Sequence, residues 1–141
     1  MPYKEKTAWL SLFAIVVTYG PYFTIILQGS FPRRPMPDFR QLALFGMFAV
    51  AQMVILGVGH LYNFLNAPEE ARIPADERDR DIHRRSLTAA YSVLIFSMIV
   101  VGVVMPFYYQ GWTIINSTLF AIIASEIVHY SVVIFCYRRQ S

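Results

Sequence analysis

The chain has 141 residues, of which 56% are hydrophobic and only 15% charged, with a net charge of +3. Charged residues make up about a quarter of a soluble domain, so this composition cannot clothe a water-soluble globule, and the bilayer is its natural solvent. The basic residues are interrupted by acids and sit beside long apolar runs, which argues against direct nucleic-acid binding, and the single cysteine, Cys136, excludes an intramolecular disulfide.

The first apolar run, Ala8–Leu27, follows Lys4 and Lys6 and so resembles a secretion signal. Its 20 uncharged residues exceed the about 7–15 of a signal peptide's apolar region, and no small-x-small cleavage site follows before Gly29. It is expected to stay as a helix. Three further runs, Leu42–Leu65, Leu87–Tyr109 and Thr113–Tyr137, have the length needed: about 20 residues rising ~1.5 Å each cross a ~30 Å hydrocarbon layer. All four are continuously apolar rather than alternating, so they read as helices and not as barrel strands. The expected fold is all-α, a single integral membrane four-helix bundle over residues 1–141 with a cytoplasmic extension of the third helix.

Between the first two spans, Ser30–Arg40 carries Pro32, Pro35 and Pro37, which predicts an extended spacer. Gly46, Ala49, Gly57 and Gly59 in the second span offer close helix contact without a strict G-x-x-x-G. Pro21 and Pro106 are expected to kink their spans. The turn at Gln110 and Gly111 is so short that the third and fourth spans must form an antiparallel hairpin. No internal repeat is visible, so an inverted-repeat transporter finds no support.

Four spans put both termini on the same side as the segment joining the second span to the third. That side holds nine basic residues (Lys4, Lys6, Arg72, Arg78, Arg80, Arg84, Arg85, Arg138 and Arg139) against three on the other (Arg33, Arg34 and Arg40). The positive-inside rule then predicts cytoplasmic termini in the inner membrane, with Tyr108, Tyr109 and Trp112 as an aromatic belt at the outer interface.

The connecting segment runs Pro74-Ala-Asp-Glu-Arg-Asp-Arg-Asp-Ile-His-Arg-Arg-Ser86. Pro74 and Asp76 are helix starters, Asp79 three residues beyond Asp76 resembles a capping box, and Asp76/Arg80 and Asp81/Arg85 are spaced as i,i+4 ion pairs. One helix is therefore expected to run from the cytoplasm straight into the third span. Arg84 and Arg85 would anchor it among lipid headgroups. Two readings stay open: a solvated helix extension, or a docking surface for a cytoplasmic regulatory protein built on Asp76, Glu77, Arg78 and Asp79. The acids do not form a calcium loop, since the loop glycine is missing and basic neighbours compete for the carboxylates.

The Ala75-Asp-Glu-Arg-Asp-Arg-Asp-Ile-His-Arg-Arg85 stretch, set between the second and third spans, resembles a family of small four-span bacterial membrane proteins with a D-E-R-D-x-x-I loop. The opening Tyr3-Lys-Glu-Lys-Thr-Ala-Trp9 is similar too, so the resemblance covers most of the chain. It implies the four-span topology and no particular chemistry. Family members often lie beside helix-turn-helix regulators, which implies a regulatory partnership.

Glu126 is the only formally charged residue type within a span. A charge near the bilayer centre costs on the order of 2.5–3.5 kcal/mol, so Glu126 is expected to face protein, water or a second copy of the chain. His129 follows at i+3, and depth matching across helices puts Gln52 and His60 at similar levels, with Ser97 and Ser125 near them. An intramembrane polar cluster of Glu126, His129, His60 and Gln52 follows, as interhelical glue, a proton- or substrate-handling site, or a haem or metal site. The Glu126-x-x-His129 spacing occurs in di-iron bundles, but those need two copies and two further glutamates. No catalytic residue, cofactor or metal is assigned, because no nucleophile triad, phosphate-binding glycine loop or intramembrane lysine is present. Three functions compete: an interaction or regulatory protein using its charged segment, a homo-oligomeric proton-coupled transporter centred on Glu126 and His129, and a haem- or metal-binding protein.

Overall fold

A computed structural model of the chain describes residues 3–29 and 38–139. Its helices are α1 (Tyr3–Leu27), α2 (Phe39–Asn66), the short α3 (Pro68–Arg72), α4 (Glu77–Ile99) and α5 (Trp112–Arg139). No strand occurs among the described residues, and four helices are long and apolar enough to cross a membrane. Of the spacer expected over Ser30–Arg40, residues 30–37 lie outside the described residues, and Phe39 and Arg40 belong to α2, whose cap is Asp38.

The four spans form where the apolar runs predict them, and they extend further. α1 begins in the charged turn at Tyr3, and α2 begins at Phe39, where the Asp38 carboxylate accepts the Arg40 N–H at 3.0 Å. The short α3 was not anticipated. Its Pro68 at the first helical position, followed by Glu69 and Glu70, is a start signal favoured by fixed φ and the helix dipole.

α4 runs without a break from Glu77 through the predicted membrane boundary to Ile99. A π segment, Val100–Val104, and a 3-10 turn, Met105–Phe107, then carry it on. Pro106 supplies the physical reason: it lacks an N–H and its ring crowds the carbonyl one turn back. The ladder loosens ahead of it, with the Met105 N–H donating to the Val100 carbonyl five residues earlier. Gly111 follows with φ +62, a left-handed conformation that reverses the chain into α5.

α1 and α5 lie at the centre, α2 flanks α1 and α4 flanks α5. The interior is polar for a membrane helix pack. Glu5, Ser11, Thr18, Gln41, Ser86 and Ser125 are buried, while Leu27 and Phe107 are over four-fifths exposed. In water such a surface would aggregate, but lipid removes the penalty and leaves packing and hydrogen bonds to hold the helices.

One stripe of α1, from Glu5 through Ala8, Ser11, Ile15 and Thr18 to Tyr22, faces its neighbours. Against α2, Leu10 sits on Gly59, where a β-carbon would stand 2.6 Å from a Leu10 methyl. Gly59 thus lies at the close contact between α1 and α2. Gly46 and Gly57 face open space. Further along the same contact, Thr18 Oγ1 donates to Gln52 Oε1 at 2.8 Å.

Tyr22 is fully buried. Its ring meets Phe23, Phe45 and Phe48 edge-on, with centroids 5.1, 6.0 and 5.8 Å away. Its hydroxyl donates to Asn116 Oδ1 on α5 at 2.7 Å, and Asn116 Nδ2 reaches Gln41 Oε1 on α2 at 3.4 Å. One polar chain thus ties three spans together.

Candidate functional site

The charged end of the molecule gathers the N-terminus of α1, the start of α4 and the end of α5. Asp76 caps α4 by accepting the Asp79 N–H at 2.7 Å, and Asp79 accepts the Asp76 N–H at 3.4 Å, so the capping box forms as the sequence predicts. The Asp79 side chain also turns inward, where it is paired with Lys4 of α1 and accepts the hydroxyl of Tyr137 of α5. Burial pushes the Asp79 carboxyl up, but the hydrogen bonds from Lys4 and Tyr137 and the Lys4 charge outweigh it and hold the group below the usual carboxylate range. Three residues on, Ile82 is buried at 2% exposure. The Arg78 guanidinium lies 5.9 Å from the centre of the Tyr137 ring.

A second tie joins α1 to α5 at this end. Glu5, with its side chain only 8% exposed, meets Arg138 at 3.5 Å, and the Arg138 guanidinium stands 5.3 Å from the centre of the Trp9 indole. Sequence reasoning missed both Lys4–Asp79 and Glu5–Arg138, because each joins residues far apart in the chain.

The outer face of the extension stays open. Asp76, Glu77, Arg80, Asp81 and Arg84 line one exposed surface there. Of the two predicted i,i+4 pairs, Asp81–Arg85 forms at 2.9 Å. Asp76–Arg80 is not found among the described residues, since the Asp76 carboxylate serves as the cap. Of the four residues assigned to docking, Asp76 and Glu77 remain outward, Arg78 rests on Tyr137, and Asp79 is engaged by the bundle. Arg84 and Arg85 are exposed.

Behind the Asp79 clasp lies a cavity of about 380 Å³, lined among others by Lys4, Asp79, Arg80, His60, His83 and His129. The rings of His83 and His129 meet edge-on with centroids 5.7 Å apart, and His129 Nδ1 is buried without a hydrogen-bond partner. His83 belongs to the charged segment, one helical turn beyond Asp79, and the sequence carries no signal that it faces His129.

The predicted intramembrane cluster therefore divides. His60 and His129 share the cavity, Gln52 is bonded to Thr18 between α1 and α2, and Glu126 is exposed on the surface of the single chain. Ser125 is buried, where its hydroxyl donates to the Ile122 carbonyl at 2.7 Å, and Ile122 itself is 44% exposed. Equal depth gives residues one level in the membrane but not one azimuth around their helices. Among the described residues, no group of three His, Cys, Asp or Glu side chains stands close enough to hold a metal ion.

The chain matches no curated protein and no solved structure. A family described as "Predicted membrane protein (DUF2178)" matches residues 4–141. That match covers all four spans, the charged extension and the helix ends that clasp it, and the chain belongs to this membrane protein family.

Proposed function

We propose that this protein is a membrane-embedded interaction protein of regulatory type, whose charged extension of α4 docks a soluble cytoplasmic partner. The observation that carries the reading is the way the extension is held. A capping box starts the helix, and Asp79 fastens it to α1 through Lys4 and to α5 through Tyr137. Pre-ordering of this kind lowers the entropy cost of binding. The outward face is left with Glu77, Arg80, Asp81 and Arg84, a pattern of both signs that selects partners by charge complementarity. The excess of basic residues at this end supports cytoplasmic termini and a place in the inner membrane. The resemblance to bacterial loop-bearing proteins found beside regulators agrees with that role.

Capture from detergent-solubilised membranes tests the reading. A soluble protein should co-purify with the wild type, and it should be lost in a Glu77→Lys, Arg84→Glu double variant and in about 1 M salt, where the screening length falls to ~3 Å. Identical partner lists for wild type and variant would contradict it. Asp79 is left intact in this experiment because it holds the bundle.

A homo-oligomer is supported by two features. α2 buries only Gln41 among its side chains, and Glu126 projects from the surface of the single chain. A carboxyl in the middle of a span is stabilised by a second copy that covers it. Proton-coupled transport has weaker support, since His129 lines the cavity and Glu126 does not.

A further inference from the structure

The cavity behind the Asp79 clasp holds more donors than its own acid can use. All three histidines of the chain line it, and they come from three different helices, α2, α4 and α5. Asp79 is the one carboxylate among its lining residues, and its two oxygens are already taken by Lys4 and Tyr137. Arg80 and His129 line the same space, and the His129 ring meets that of His83 edge-on.

The remaining wall includes Ala8, Ile82 and Val133, so the space is cationic on one side and apolar on the other. Arg80 and His83 line it from the turns of α4 between its charged start and its apolar stretch, the depth at which headgroups meet a transmembrane protein. Basic pockets between helices at that level are suited to the phosphate of a lipid headgroup. We propose that this cavity is a phosphate-binding site, with Arg80 countering the charge, the His83 ring offering an N–H, and the apolar wall taking the glycerol end when the phosphate belongs to a lipid. Arg80 lines both this cavity and the outward docking face, but phosphate binding needs no protein partner, so either assignment can fail without the other.

The three histidines make the test site-resolved. The full chain, with ¹⁵N-labelled histidine, is titrated in maltoside detergent, which carries no phosphate, with short-chain phosphatidylglycerol, inorganic phosphate or diacylglycerol. The ring signals of His83 and His129 should shift saturably with a phosphate-bearing ligand and not with diacylglycerol. A response to the lipid alone assigns the site to a headgroup, and an equally tight response to inorganic phosphate assigns it to the free ion. Arg80→Gln, at an exposed position, should weaken binding about tenfold, the loss of one charge-assisted contact, while Arg84→Gln outside the cavity should change it less than about twofold. No shift with either phosphate ligand, an equal shift with diacylglycerol, or equal weakening by the two variants would overturn the proposal. If Arg80→Gln loses its helical circular dichroism, the wild-type arms decide alone.

Discussion

Tyr22→Ala is expected to lower the stability of the folded bundle by about 3 kcal/mol. Replacing a fully buried aromatic residue by alanine costs about 3–5 kcal/mol in soluble proteins, where transfer from water and the cavity both contribute. In a bilayer the transfer part shrinks because lipid is itself apolar, and the packing part remains. That part is large for Tyr22, whose ring touches Phe23, Phe45 and Phe48 and whose hydroxyl anchors Asn116. Tyr22→Phe separates the two contributions, since it keeps the ring contacts and loses one interhelical hydrogen bond of about 0.6 kcal/mol. Unfolding in mixed micelles of increasing dodecyl sulfate measures both. An alanine variant within 0.5 kcal/mol of wild type would show that the aromatic cluster does not hold α1 to α2, taking that margin from the usual effect of a surface change of about 0.5 kcal/mol.

Asp79→Asn should cost about 2 kcal/mol at neutral pH, because it removes the charge from two hydrogen bonds at once, each worth about 1.5–3 kcal/mol when a charged group takes part, while the amide keeps part of the geometry. The effect has a defined pH dependence. The carboxyl is held below its ordinary value in the folded chain, so its contribution is present above the unfolded value of about 3.9 and is lost as pH falls through the folded value. Wild type should therefore lose stability on acidification from about pH 5 downward, and the difference between wild type and Asp79→Asn should close at the acid end. A difference that stays constant from pH 7 to the acid limit would show that the carboxylate charge is not what clasps α4. Salt should weaken the clasp only partly, since the Asp79 side chain is 19% exposed.

The spans were legible because lipid makes a one-dimensional demand: about 20 apolar residues in a row. The capping box was legible because Asp76 and Asp79 are local in sequence. What the sequence did not disclose was azimuth. Apolar side chains cover both the lipid-facing and the packed faces of these helices, so no amphipathic stripe says which way Glu126 or Gln52 points, and Glu126 lies outward while Gln52 finds Thr18. The helix ends were misjudged for a related reason. The apolar run begins at Ala8, yet α1 begins at Tyr3 and takes in Lys4 and Glu5, which pair with Asp79 and Arg138. The D-E-R-D-x-x-I stretch changes meaning in the same way: Asp76 starts the helix, Asp79 fastens it and Ile82 packs beneath it, so part of an apparent docking sequence holds the fold.

In the function proposed above, the clasped, charged end of the molecule faces the cytoplasm, where a soluble partner can reach it. Cysteine labelling of intact cells with a membrane-impermeant reagent tests it most directly, using a chain in which Cys136 is first replaced by serine. A cysteine introduced at Gln110, in the turn between α4 and α5, should react from outside, and one introduced at Ala75, just ahead of the α4 cap, should react only after the cells are opened. Labelling of the Ala75 position in intact cells, with protection at Gln110, would contradict the account.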